Sequence, residues 1–524
     1  MNLATIVGHV GGRCKTESRE QDAWLSEPAK PGAIKSAIKD HVDEVLQFVD
    51  RSDDERRFDE VERGLRDLLF TLGRLLLAYF LACRETRSKD LVGCWLRRNY
   101  RQTKPRRKFM GTFFGRVTFW RTYVRSTRGA GLFPLDRSLA LSADGFSLLV
   151  MESAARLSTL VSFEQVTGLF LYFLSWSPSK TTVEKAVLGF GRHSAEWFEA
   201  APPREGDGEI LVVQIDSKAT PTATDEELEK RRGKRKSRGR PLSPRHRGRE
   251  KRARRGSKKR RKKGDHSKNG KAATMVVMYT LKKGRDENGK PALLGPINKR
   301  VYASYAPKRH AFAVARREAA KRGFNTRSGK RIHILTDGDE DLERYVKDFF
   351  PRARHTLDIM HVLEYFWEAG RFVYKEGSDE LASWVKKQEK LLYAGKAALA
   401  LLNLNELDVP AANRKRLDQI KNYLRKRLRL MNYDELRKKH LDVATGVVEG
   451  AVRHVIGKRF DSSGMRWIRE RAEPLLQLRC IEINGDWDAF VAFVIQRTSS
   501  DDDCGDIRLL TKTAADLPTY GIAA

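Results

Sequence analysis

Along the chain, apolar positions first recur at helical spacing. From about residue 33 to 88, in stretches such as "HVDEVLQFVDRSDDERRFDEVERGLRDLLFTLGRLLLAYFLACRE", they fall three and four residues apart, which predicts amphipathic helices. The run Leu68–Cys83 is apolar, but it is short for a membrane span and Arg74 interrupts it, so it reads as a buried core helix. The period then changes to two. "RRKFMGTFFGRVTFWRTYVRS" (Arg106–Ser126) alternates and is rich in Phe, Thr, Val and Tyr, which predicts a β-hairpin turning at Gly115. Residues 142–190 return to helix, broken by Ser177-Pro178-Ser179, and Ser162 and Gln165 have capping-box spacing. The rhythm suits a helix-turn-helix, and equally any pair of short packed helices.

From Glu209 the pattern is α/β. "EILVVQID", 271–281 and 298–306 read as three strands, and "HAFAVARREAAKRG" as a helix ended by Gly323. "RIHILTDGDE" is a fourth strand, "EDLERYVKDFF" a helix stopped by Pro351, and "ARHTLD" a fifth strand leading into "IMHVLEYFWEAG". Three strands in succession, then helix–strand–helix–strand, is the order of a ribonuclease-H-like fold. The chain therefore divides as follows. Residues 1–32 are a flexible N-terminus, 33–140 helices with a hairpin, and 141–205 a helical region with the possible helix-turn-helix. Residues 206–370 are the first part of the ribonuclease-H-like domain, 371–440 a helical insertion, 441–495 its second part, and 496–524 an acidic flexible tail. The fold class is thus α/β: a ribonuclease-H-like domain with a helical insertion, preceded by a mainly helical N-terminal region with a β-hairpin.

One stretch fits neither period. Between the first two strands, 229–270 is almost wholly Lys, Arg, Gly and Ser, with Leu242 its one core-forming residue, so it cannot fold alone. It contributes heavily to a formal net charge of +34 over 524 residues, a balance that favours polyanions, nucleic acid above all, as partners. Lys234, Arg235, Lys236, Arg260 and Arg261 are representative backbone-binding candidates. The five cysteines form no CxxC pair and are widely scattered, which argues against a zinc knuckle and suits a reducing cytoplasm. The first twenty residues lack a basic region followed by an apolar core, so no secretory signal is expected. The expected location is cytoplasmic, at the nucleoid, with no membrane partner.

Two strands run into aspartates, Asp216 and Asp337. In this topology the strand ends lie side by side, where α/β sheets place their sites. Two adjacent carboxylates repel and are ionised cheaply only beside a cation, and hard oxygen ligands suit Mg²⁺ or Mn²⁺. A third carboxylate is expected from a helix after the insertion, and Glu449 in "HLDVATGVVEGAVRHVIGKRF" is the candidate. Gly446 and Gly450 flank it, which would permit close approach of another backbone, and Arg453 follows four residues on, on the same face, where it would touch a DNA phosphate. The alternative is an ordinary i,i+4 surface pair. Three carboxylates so arranged would hold two ions for an in-line phosphoryl displacement.

These residues resemble the DDE transposases of bacterial insertion sequences. "VVEGAVRHVIGKRFDSSGMRW" (447–467), "FPRARHTLDIMHVLEYFWEAG" (350–370) and "LLQLRCIEINGDWDAF" (475–490) are similar to the Kra-type and Lre-type groups, and the likeness covers about Glu209 to Phe490. It implies terminal-repeat binding, strand cleavage and strand transfer, with Asp216, Asp337 and Glu449 catalytic and metal-binding. "DIMH" fits the Asp-x-x-His motif of several such families, which makes Asp358 and His361 active-site auxiliaries; an Asp at a strand–helix junction is also an ordinary N-cap. The sequence departs from the family at Ser217 and Lys218, where glycine often follows the first aspartate, and Thr445 and Ile456 stand where a sister group has Arg and Lys. Arg453 and Arg459 are then the substitutes for DNA contact. The expected partners are double-stranded DNA, as terminal repeats and target, and a second copy of the chain in that complex. The alternatives are a non-catalytic basic nucleic-acid-binding protein and a hydrolytic nuclease of the same fold.

Overall fold

The computed structural model describes residues 30–51, 55–87, 89–126, 129, 131–142, 145–223, 270–325, 327–444, 446–461 and 467–500. The basic stretch, with Lys234, Arg235, Lys236, Arg260 and Arg261, lies outside them, as do most of the N-terminus and the acidic tail. The chain forms two compact units, 1–190 with 491–524, and 191–490.

The first unit opens with α1 (Pro31–Val49), α2 (Phe58–Arg87) and α3 (Lys89–Leu96). A hairpin of β1 (Tyr100–Thr112) and β2 (Gly115–Ser126) follows, with β3 (Gly131–Leu132) on its edge. Gly115 turns it at φ +111°, a conformation glycine adopts without strain. The expected core helix is α2, but only one face of it is buried. Gly73, Leu75, Ala78 and Leu81 lie inside, whereas Leu69, Leu76 and Phe80 are 44–49% exposed. Among the described residues no helix is long and apolar enough to cross a membrane. After α4 (Pro134–Ser138) come α5 (Leu148–Leu160), α6 (Phe163–Leu174) and α7 (Lys180–Gly191). The capping box forms: the Ser162 hydroxyl accepts from the Gln165 N–H at 3.2 Å, and the Gln165 carbonyl accepts from the Ser162 N–H at 3.0 Å. Ser175 in the left-handed region ends α6.

In the second unit α8 (Ser194–Ala200) precedes β4 (Ile210–Ala223), β5 (Gly270–Arg285) and β6 (Pro291–Ser304). Then come α9 (Lys308–Lys321), β7 (Arg331–Thr336), α10 (Glu340–Phe349), β8 (Arg354–Leu357) and α11 (Ile359–Gly370). The sheet order is β6-β5-β4-β7-β8, with β4, β5 and β6 antiparallel and β4, β7 and β8 parallel. The expected helical insertion is α12 (Asp379–Tyr393), α13 (Ala397–Leu402), α14 (Ala411–Lys426) and α15 (Tyr433–Lys438). Last are α16 (Gly446–Val452), β9 (Trp467–Ile468), α17 (Arg469–Ile483) and α18 (Trp487–Ser500).

β4 is central, so both its faces are covered and its apolar run is continuous rather than alternating. Leu211, Val213 and Ile215 pack with Phe312, Ala315 and Leu342 of α9 and α10, each β4 residue fully buried and contributing roughly 1.5–3 kcal/mol. The period of two sends Val212, Gln214 and Asp216 to the opposite face.

Candidate metal centre

β4 does not end at Asp216. Its antiparallel ladder with β5 continues past Asp216↔Met275 to Pro221↔Gly270, and β9 pairs with its last residues. What ends there is the parallel pairing with β7, whose last registered pair is Ile215↔Thr336. Asp216 and Asp337 are the next residue of each strand, at the point where the two part. The register Val212↔His333 gives them the same face of the sheet. The expectation that the first strand ends at Asp216 is corrected: the strand runs on to Ala223, held by β5, and only its pairing with β7 stops there.

Asp337 is held by its own loop. Its Oδ1 accepts from the Asp339 N–H at 3.1 Å, and its carbonyl accepts from the Tyr423 hydroxyl of α14 at 2.7 Å. Gly338, at φ +80°, lets the loop pass beneath α14, since a Cβ there would run into the Tyr423 hydroxyl and Leu357. Gly338→Ala is therefore expected to lower unfolding stability by about 1–3 kcal/mol, read from urea melts, because it adds both a collision and an unfavourable φ. Asp339 caps α10 by accepting from the Asp341 N–H at 2.9 Å, and Glu340, Asp341 and Glu343 fill the first turn, where they meet the helix dipole.

Glu449 comes from α16, which lies over the Asp216 face. The anchor is Gln214, two residues before Asp216, whose side-chain carbonyl accepts from the Val448 N–H at 2.9 Å. The Gln214 amide donates to the Tyr279 oxygen at 3.0 Å, and the Tyr279 hydroxyl donates to the Asp442 carboxylate. Burial and Asp442 raise the Tyr279 phenol, so it stays protonated as that donor. Gln214, Tyr279 and Asp442 were not singled out in the sequence. The signal was the lone amide inside "ILVVQID", at period two from the aspartate. The helix bearing Glu449 is also short: it passes into a π-helical stretch, Arg453–Asp461, a departure common at functional sites. Gly446 and Gly450 do not serve close approach, because a Cβ on either would meet nothing within 4 Å.

The Asp216 carboxyl is raised above the ordinary carboxylate range. Burial is the largest cause, and the charges of Asp337 and Glu449 add to it. The Ser217 N–H, donated to Oδ1 at 2.6 Å, and His361 pull the other way. The charges of the other two sequence-chosen carboxylates, Asp337 and Glu449, thus reach Asp216. Asp358 and His361 join them: ligand atoms of Asp358, His361 and Glu449 all lie within 4.8 Å of each other. Asp358 is fully buried, and its Oδ1 caps α11 by accepting from the Met360 N–H at 2.9 Å. Its Oδ2 stays 3.8 Å from His361 Nε2, while His361 Nδ1 lies 3.4 Å from Glu364. The cap and the cluster are therefore one residue's two oxygens. Glu368, further along α11, is taken by Arg416.

The two basic candidates separate. Arg453 is exposed. Arg459 is 1% exposed, its guanidinium sits 4.7 Å from the centre of the Trp467 ring, and burial pushes it down to about 10. The expectation of a DNA contact at Arg459 is corrected: the side chain is buried against the Trp467 ring. Lys218 pairs with Asp461 at 3.2 Å.

No family model matches the sequence, and no curated protein matches it. Among solved structures, the Drosophila P element transposase strand transfer complex is similar over 67% of this chain and 80% of that one, at 10% identity and a TM-score of 0.19. A likeness of that size carries no argument about fold or function.

Proposed function

We propose that the chain is a DDE-type DNA transposase of the insertion-sequence kind, built on a ribonuclease-H-like domain and acting on the terminal repeats of a mobile element. One observation carries the reading. Two aspartates, at the parting of the central parallel strands, share a face with a glutamate from a later helix, and the charges of Asp337 and Glu449 both raise the Asp216 carboxyl. The strand order β6-β5-β4-β7-β8 supports the fold assignment.

The donor set fits a hard divalent cation. Glu449 shares a group of ligand atoms with the Asp358 carboxylate and the His361 imidazole, and Asp216 carries an electrostatic cost that a cation relieves. Asp216, Asp337 and Glu449 would hold Mg²⁺ or Mn²⁺, two ions in this reading. Such ions supply charge stabilisation to the attacking and leaving oxygens of a phosphoryl displacement. The chain's own residues do the positioning. Gln214 fixes α16, and the Tyr423 hydroxyl fixes the Asp337 loop. Asp358 sets His361 where its imidazole can hold a proton or orient a phosphate oxygen. Arg453 meets a backbone phosphate, and the basic stretch holds DNA without reading it. A second copy of the chain would share the DNA complex.

The test uses the full chain and a linear DNA carrying the sequences that flank its gene, in Mg²⁺, in Mn²⁺ or in EDTA. Nicks at the element ends and joined products are expected only with metal. DNA bound but uncut in both metals would leave a basic binding protein. Cutting without joining would leave a nuclease.

A further inference from the structure

The far end of the same strands carries a feature that the acidic centre does not use. Beside the first residues of β4 and β7 a cavity of about 420 Å³ opens, within the size range of small-molecule sites. Ile332 and Phe350 give it an apolar floor. Its charged lining is of one sign: Arg316, Lys330, Arg331, Arg352, Arg354 and Lys439, with no carboxylate among the described lining residues. Glu435, behind them, takes Arg354 at 2.8 and 2.6 Å and Lys439 at 2.5 Å. Those two cations hold its carboxyl down to about 2, so it stays ionised. Glu435 thus answers two of the six cations, and Asp434 also acts on Arg354. Cations gathered this way repel one another, and an anion relieves them.

His333 supplies an independent observation. It lines the same cavity and is 1% exposed. Its Nε2 lies 3.0 Å from the Thr356 hydroxyl, while its Nδ1 meets no hydrogen-bond partner among the described residues. Burial pushes the imidazole down to about 3, so it is neutral and offers a donor or acceptor rather than a charge. A buried polar atom without a partner is costly, and this one belongs to a residue of the cavity wall.

We infer that this cavity binds a nucleotide phosphate on its cationic lining, with sugar or base against the apolar floor. A free nucleotide or one unit of a nucleic-acid strand would present that chemistry. The site stands apart from the acidic centre, four to six residues back along the strands and so roughly 13–20 Å away, and it does not depend on strand transfer.

The experiment uses the full chain in EDTA, so that divalent cations take no part. The probes are ATP and a 5′-phosphorylated oligothymidylate, and the readout is protection of Lys330 from acetylation by mass spectrometry. That readout is local, so binding to the basic stretch does not register. Protection is expected, and in R316E/R331E, both side chains reaching solvent, it should weaken by about tenfold in probe concentration. Protection by ATP assigns the site to a free nucleotide, and protection by the oligonucleotide alone assigns it to a strand. Lys330 acetylated at the same rate with either probe in the wild-type chain, or unchanged protection in the folded double variant, overturns the site.

Discussion

An Asp216→Asn chain is expected to bind DNA almost as the wild type does and to cut it at least about 10³-fold more slowly, the effect of losing about 4 kcal/mol of charge stabilisation in the transition state. The substitution keeps an oxygen that can accept from the Ser217 N–H and leaves the β4–β5 ladder alone, so it removes charge without removing structure. The metal-free variant should also be more stable than the wild type at neutral pH. The Asp216 carboxyl is raised by burial and by two neighbouring carboxylates, so the folded chain binds its proton more readily than the unfolded chain does. Stability therefore falls as pH rises from the ordinary carboxylate range through the raised value, and above it the ionised group carries the full cost. Melting curves should favour Asp216→Asn by a few degrees at neutral pH, and the gap should close below about pH 3, where the carboxyl is protonated in the folded and the unfolded chain alike. Equal loss of DNA binding would make the aspartate a structural residue, and unchanged cutting would remove it from the metal centre.

Deleting Lys230–Lys263 should lower affinity for all DNA alike and flatten its salt dependence. The segment holds twenty-one lysines and arginines against one carboxylate, Glu250, and no aromatic residue to stack on bases. Each phosphate neutralised on duplex DNA releases counter-ion, with a log–log slope near −0.9 per contact; a handful of lost contacts is worth roughly 10³–10⁵ in affinity between 50 and 200 mM salt. The fold should tolerate the deletion, because β4 and β5 are already paired antiparallel where the segment leaves and returns, at Pro221↔Gly270. Binding to the gene's flanking sequences and to unrelated DNA, measured across salt, checks this. Preference for the flanking sequences should survive. A variant that keeps the full slope and loses the preference would make the segment a reader of sequence.

Much of the centre was legible in the chain, and the reason is local. A continuous apolar run such as "ILVVQID" has to be a strand covered on both faces, and a carboxylate at its end has to meet water, metal or a partner. Two such runs ending in Asp216 and Asp337, with helices between, brought both aspartates to one edge on topology alone. The capping box at Ser162, the turn at Gly115 and the caps at Asp339 and Asp358 were likewise written within four residues of themselves. Charge was legible too, since it needs no fold to be counted.

What the sequence left open depended on residues far apart in the chain. Nothing near Gln214 foretells that its side chain will accept from Val448, more than two hundred positions away, or that Tyr423 will pin the Asp337 loop from inside the helical insertion. The role of the two glycines beside Glu449 was misjudged because close approach belongs to a neighbour, and there the neighbour is absent. Arg459 is buried against Trp467, a ring eight positions on whose place beside it spacing along one helix does not give. The cationic cavity at the other end of the sheet gathers Arg316, Arg331, Arg352 and Lys439 from four separate elements or their loops. Period and propensity are properties of neighbours along the chain, and they determined the strands, the caps and the acidic edge. Tertiary packing, which alone decides what lies across from what, chose the anchors of Glu449, the burial of Arg459 and the second site.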